Sequence, residues 1–466
     1  MSQAKFDQFV AKNPHQHQFY FQRPHVSRRG FFGLAGSALA GSFLAGPGLA
    51  QSGVRIDKLD VKMINRAENV IFILLTGAPS HTDTFDLKMI NGVSPATLLK
   101  PEKINGIDFP TGLMPKIAQT TLSDLAIIRS MRSWNLAHNL AQNWFQVGRN
   151  PVAALGDIAP NIGSIVAIEK ERERKPSDVF PLFVGLNSQG AVGSGYLTST
   201  YAPFRVTPSA TGLRNVTNVD GQARLNERMT MLETMDAPLR TNSPYGREVA
   251  NFDAFYKAAK GLTYNATVDS AFRLNQADRV RYGTSGFGDA CLTAKQILEA
   301  NAGTRFIQIS FGSWDHHVGI YSDPNTLQRM TRNLDDGFSN LMADLKASGM
   351  LSKTLIVMGG EFGRTIGRLS AQQGRDHYLQ QFCVMAGAGI KGGRALGSTN
   401  ADGGRTDEFG WARERDVRPE DIEATIYSAL GINWTSIRYD DPFGRGFEYV
   451  PYAHEDLYGP IDELWS

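Results

Sequence analysis

The chain has 466 residues, 42% hydrophobic and 20% charged, which is the composition of a soluble globular protein with enough length for one large α/β domain or two ordinary ones. Formal net charge is +2, and setting aside the first 50 residues leaves 43 Lys/Arg against 45 Asp/Glu. Such a near-neutral body gives no case for a nucleic-acid partner, which would need a basic face.

The front of the chain reads as an export signal. Ser27-Arg28-Arg29-Gly30-Phe31-Phe32 is a twin-arginine pair followed by aromatics, and an uncharged Gly/Ala-rich stretch runs from Phe31 to Ala50. Gly48-Leu49-Ala50 offers small residues at the cleavage spacing, which predicts a periplasmic or extracellular protein matured after Ala50. The alternative is an N-terminal membrane anchor, since the stretch approaches spanning length. Residues 1–26 form a polar leader whose His15, His17 and His25 are read as non-ligating. The signal thus occupies residues 1–50, and residues 51–466 are read as a single α/β unit.

Val70 to Leu75 is a continuous apolar run, as expected of a strand buried on both faces of a parallel sheet. It stops at the turn Thr76-Gly77-Ala78-Pro79-Ser80 and presents His81 and Asp83, which are either ligands or part of a local helix cap. Leu125 to Arg129 is a second buried strand, followed by a helix that begins near His138 and closes at Gly148. A helix over Pro160–Glu169 and a strand over Phe180–Gly185 come next. Residues 187–245, rich in Gly, Ser, Thr, Asn and Pro, are predicted to form a long lid or binding loop. Helical sequence fills 247–300 and includes Cys291. Cys383 falls in an apolar strand, and the two cysteines lack zinc-type spacing.

The densest chemistry lies in 305–377. Arg305 to Ser310 is a strand followed by Trp314-Asp315-His316-His317, and Thr354 to Met358 is a strand followed by Gly359-Gly-Glu361-Phe-Gly-Arg364. Asp376 and His377 follow, on the loop before a strand at 380–386. In open α/β sheets ligands bind beyond the carboxyl ends of the strands. Three clusters of carboxylate and imidazole at successive strand ends therefore predict a divalent-metal or acid/base site. Donors mixed from N and O without thiolate point to zinc first, with manganese or calcium as alternatives. The candidate ligands are His81, Asp83, Asp315, His317, Glu361, Asp376 and His377. Arg364 and Arg375 are candidates for gripping a tetrahedral oxyanion, or else they neutralise the carboxylates. His138 is a candidate acid, base, nucleophile or ligand. Strands alternating with helices predict a mostly parallel sheet sandwiched by helices.

In this order, the Val70–Asp86 segment, the Trp314–His317 cluster, Gly359–Arg364, Gly374-Arg-Asp-His377 and the helix from Asp421 to Gly431 resemble the bacterial family catalogued as domain of unknown function 1501. More remotely they resemble the alkaline phosphatase and sulfatase superfamily. That second resemblance implies a metal-dependent hydrolase acting on a small-molecule or carbohydrate ester of phosphate or sulfate. It implies that Asp315 matches the aspartate after a central strand, that Glu361 takes the place of the aspartate in an Asp-His pair, and that His377 matches the last metal histidine. Phe362 stands where the paired histidine would be, and the usual nucleophile position falls near His138. No Cys/Ser-x-Pro-x-Arg motif occurs. A non-catalytic binding or structural protein on the same fold is the alternative, with the 187–245 loop as its binding surface.

Overall fold

The computed structural model describes residues 54–153, 155–240 and 256–466, with positions 5, 7 and 8 near the start. The expected export signal lies outside the described residues. Among the described residues no helix is long and apolar enough to cross a membrane.

An eight-stranded sheet organises the chain. Its strands are β1 (Asn69–Leu75), β2 (Leu125–Arg132), β3 (Phe183–Leu186), β4 (Phe204–Val206), β5 (Phe306–Ser310), β6 (Thr354–Gly360), β7 (Gln380–Gly387) and β8 (Arg394–Leu396). Their spatial order is β8-β2-β7-β6-β1-β5-β3-β4. β7 runs antiparallel to both of its neighbours, and the other pairings are parallel. This is the α/β, mostly parallel sheet expected from the apolar runs.

β1 shows why continuous apolar runs were needed. Every one of its residues is buried. Ile71, Ile73 and Leu75 enter one core while Val70, Phe72 and Leu74 enter the other, as the period of two requires. Helices α1 (His138–Val147), α2 (Ile162–Lys170) and, near the C-terminus, Pro419–Ala429 cover the second face. Gly286–Ala300 and Leu327–Ala347 cover the first. In chain order we label Gly221–Arg240 α3, Gly286–Ala300 α4, Leu327–Ala347 α5 and Pro419–Ala429 α6. Both cysteines are buried and unbridged, Cys291 in α4 and Cys383 in β7.

The 187–245 segment departs from the expected loop, because it contains β4 and the 20-residue helix α3. The Ala, Arg, Glu, Leu and Met of α3 are good helix formers, but they make no apolar stripe for a periodicity reading to find. The edge strand β8 lies in a Gly-rich stretch with no long apolar run.

Candidate metal centre

The ends of β1, β2, β5 and β6 and the beginning of the antiparallel β7 lie on one edge of the sheet. Gln380 at the start of β7 pairs with Arg132 at the end of β2. Antiparallel β7 therefore brings the loop before it, with Asp376 and His377, to the edge where Asp315 and Glu361 leave β5 and β6. The turn after β1 is built for close approach. Gly77 has φ +97°, and a Cβ there would lie 2.7 Å from the Asp315 backbone nitrogen. The Gly77 N–H donates to Glu361 Oε1 at 2.8 Å.

Four side chains converge at this edge: His138, Asp315, His317 and His377, with one donor atom from each lying within 4.8 Å of all the others. His317 Nε2 is 2.8 Å from Asp315 Oδ1 and 3.1 Å from His377 Nε2. His138 Nε2 and His377 Nε2 lie 3.4 and 3.8 Å from the same Asp315 oxygen. A tetrahedral zinc site with bonds of about 2.0–2.1 Å would set its donors roughly 3.3–3.4 Å apart.

The other nitrogen of each ring fixes its tautomer. His377 Nδ1 lies 2.7 Å from the Leu136 carbonyl oxygen, which can only accept. His138 Nδ1 lies 2.7 Å from Glu361 Oε1, and His317 Nδ1 lies 2.9 Å from Asp376 Oδ1. With each Nδ1–H donating outward, the neutral rings turn three Nε2 lone pairs toward one another and toward a carboxylate, and that of His317 also lies 3.4 Å from Arg364 Nη1. His138 Nε2 is buried without a hydrogen-bond partner. Lone pairs facing one another are repulsive unless a cation or proton lies among them. Imidazoles whose second nitrogen is held by a carboxylate or carbonyl are the usual outer arrangement of a metal site. The donor set therefore fits a divalent ion.

The electrostatics agree with the geometry. The hydrogen bond that His138 donates to Glu361 raises the His138 pKa, against burial, which lowers it. Burial lowers that of His377, outweighing the Leu136 bond. Burial pushes the Asp315 carboxyl up, but the hydrogen bond and charge of Arg364, with His317 and His138, bring it below its ordinary value. The Phe362 ring packs 4.8 Å from His138 and 4.6 Å from His377, forming an apolar wall. Asp315 remains 44% exposed, so the site is open to solvent on one side.

Several sequence candidates take other places. His81 is fully buried, with Nε2 2.9 Å from the Gly403 carbonyl, away from the four donors. Asp83 is also buried, pairing with Arg375 at 2.8 Å and accepting from Tyr321 and Ser80 at 2.5 Å each. The structure does not bring these two to the four converging donors, because burial gives each its own partner in Gly403 and Arg375. Glu361 and Asp376 stand behind His138 and His317 rather than among the converging donors.

Arg364 and Arg375 are buried and committed. Arg364 donates to the Gly77 and Ala78 carbonyls, to the Arg375 carbonyl at 3.1 Å and to Asp315 Oδ1 at 2.5 Å. Arg375 donates to the Thr365 and Gly367 carbonyls as well as to Asp83. Neither presents a free fork to an oxyanion. His138 joins the donors, although its place in the sequence did not single out ligation. Gln142, which the sequence reading passed over, donates to Glu361 Oε1 at 2.9 Å. It lies one helical turn after His138, and that i, i+4 spacing was the signal available.

A family model described as "Protein of unknown function (DUF1501)" matches residues 67–454. No curated protein matches the chain. Among solved structures, a protein in the alkaline phosphatase superfamily from Vibrio parahaemolyticus is 10% identical, with a TM-score of 0.37 and coverage of 81% of this chain and 69% of that one. The lipoteichoic acid synthase LtaP from Listeria monocytogenes is 11% identical, with a TM-score of 0.37 over 82% of this chain and 76% of that one. The PsFucS1 sulfatase from Pseudoalteromonas sp. is 14% identical, with a TM-score of 0.37 over 79% and 68%. Likenesses this distant do not bear on chemistry.

Proposed function

The chain belongs to the DUF1501 family, and from that premise we propose an exported metal-dependent hydrolase of phosphate or sulfate esters, with one divalent ion held by His138, Asp315, His317 and His377. The observation that carries the metal is the set of three Nε2 atoms and a carboxylate turned toward one another, with each Nδ1 on its own oxygen acceptor. Zinc suits this set best, with manganese or calcium as alternatives. A divalent ion supplies Lewis-acid activation of an ester oxygen or a water. Glu361 and Asp376 hold His138 and His317 in the ligating tautomer. Arg364 holds Asp315 and offsets the buried charge of Glu361 beside it. Phe362 excludes water from one side, while the exposed edge of Asp315 leaves a way in for substrate. The ester class rests on the order of motifs along the chain, which resembles the phosphatase and sulfatase superfamily. Small-molecule or carbohydrate esters are the proposed substrates, met in the periplasm or outside the cell after twin-arginine export.

One observation favours a second reading, a non-catalytic protein that only holds metal. Arg364 is spent on Asp315 and on backbone carbonyls, and Arg375 on Asp83, so neither offers a free fork to an oxyanion. The deciding experiment is elemental analysis of the full chain, followed by assay of aryl phosphates and aryl sulfates with the metal present and chelated. About one equivalent of metal with chelator-sensitive turnover is the expected result. Bound metal without turnover moves the protein to the second reading, and absence of metal removes both.

A further inference from the structure

Two of the groups that shape the centre are carried by one segment. His138 opens α1, and the Leu136 carbonyl that fixes His377 lies two residues before it. The ends of that segment, Trp134 and Trp144, are tied to a single buried carboxylate on α6. Trp134 Nε1 lies 3.1 and 3.0 Å from the two oxygens of Glu420, and Trp144 Nε1 donates to Oε1 at 2.8 Å. Glu420 is 1% exposed. The indoles stack at 6.0 Å and 26°. The Arg418 guanidinium lies 3.9 Å above the Trp134 ring and donates to the Arg132 and Ser133 carbonyls at 3.2 and 3.0 Å.

Burying a carboxylate is costly, and apolar side chains would pack α6 against α1 without that cost. What the carboxylate adds is direction, because each N–H bond sets where its indole lies. Trp144 sits on the helix that presents His138, and Trp134 on the strand-to-helix crossing that presents Leu136.

We propose that Glu420 is a positioning residue for the metal centre, bracing Trp134 and Trp144 so that His138 and the Leu136 carbonyl stand where the ion needs them. The proposal rests on the metal reading above. Its test is zinc affinity of the full chain, measured by competition with a chromophoric chelator, together with the visible spectrum of the cobalt-loaded protein. Glu420→Gln and Trp144→Phe are compared with Leu345→Ala, a change in α5 on the opposite face of the sheet. Both brace variants are expected to bind zinc about 10-fold or more weakly, the range for lost outer contacts, and to alter the cobalt spectrum. Leu345→Ala is expected to lower thermal stability while leaving affinity and spectrum unchanged. Wild-type affinity in a folded brace variant overturns the proposal, as does equal weakening by Leu345→Ala. Should Glu420→Gln not fold, Trp144→Phe decides, since it keeps the Trp134 bond. A wild type that binds no zinc removes the metal reading and the brace together. A wild type that binds zinc as its brace variants do removes the brace alone.

Discussion

Glu361 shows how little room the centre leaves for a residue to play two parts. Its Oε1 accepts from Gly77, His138 and Gln142, so this oxygen is already saturated by the protein. An outer carboxylate raises the basicity of the imidazole it holds, and losing its charge weakens the ion's grip without removing a donor. Glu361→Gln is therefore expected to bind zinc about 10- to 100-fold more weakly while still saturating at the wild-type stoichiometry in a chelator competition. His377→Ala differs in kind, because it deletes one of the four donors. It is expected to leave metal content near zero by elemental analysis after dialysis, with the fold retained by circular dichroism. If Glu361→Gln also lost its metal outright, Glu361 would have to be counted among the ligands rather than behind them.

At the scale of elements, the loops that carry the centre are held by contacts that tolerate almost nothing. A Cβ on Gly374 would lie 2.0 Å from the carbonyl carbon and oxygen of His317. Gly374→Ala must push the Asp376–His377 loop away from the strand end that carries His317. A cost of roughly 1–3 kcal/mol in denaturant unfolding is expected, together with reduced metal content. Beneath it, the Arg375–Asp83 pair is wholly buried on both sides. Arg375→Ala leaves a buried carboxylate uncompensated and is expected to cost roughly 3–5 kcal/mol by the same measurement. These elements also mark what was legible in advance. β1 and β6 were plain because continuous apolar runs fit strands covered on both faces, and β5 because Phe306, Ile307 and Ile309 outweigh Gln308. The placing of Asp315, His317 and His377 at one edge followed from where those strands stop. The partners of His81 and Asp83 were not legible, because a sequence shows that a polar group follows a strand but not which partner satisfies it. The partners here are Gly403 and Arg375, both hundreds of residues away. α3 was missed for a related reason, since a largely solvated helix carries no apolar stripe.

Across the whole molecule two titrations pull in opposite directions. Burial raises the pKa of Glu423 from an ordinary 4.5 to about 8, and that of Glu420 from 4.5 to about 7. Glu423 Oε2 has no hydrogen-bond partner to offset that burial. A carboxyl whose folded pKa lies above its unfolded value is favoured in its neutral form by the fold. Its contribution is fully present below about pH 4.5 and is lost as pH rises through 7 to 8. The metal-free protein should therefore lose stability between about pH 4.5 and 8, by an amount on the order of a few kcal/mol. Glu423→Gln should flatten that slope. The centre behaves in the reverse sense, because imidazoles ligate only when deprotonated and His138 holds its proton the harder for its bond to Glu361. Zinc should thus bind more tightly as pH rises. Ligand at 100 times its Kd stabilises by about 2.7 kcal/mol, so the gain from zinc should grow over the range in which the empty fold weakens. Thermal unfolding of the metal-free and zinc-loaded protein from pH 5 to 9 reads both slopes at once. The metal-free Tm should fall and the gap to the loaded form should widen. A gap that stays constant would mean that no histidine proton is displaced on binding, and the donor set built from His138, His317 and His377 would have to be abandoned.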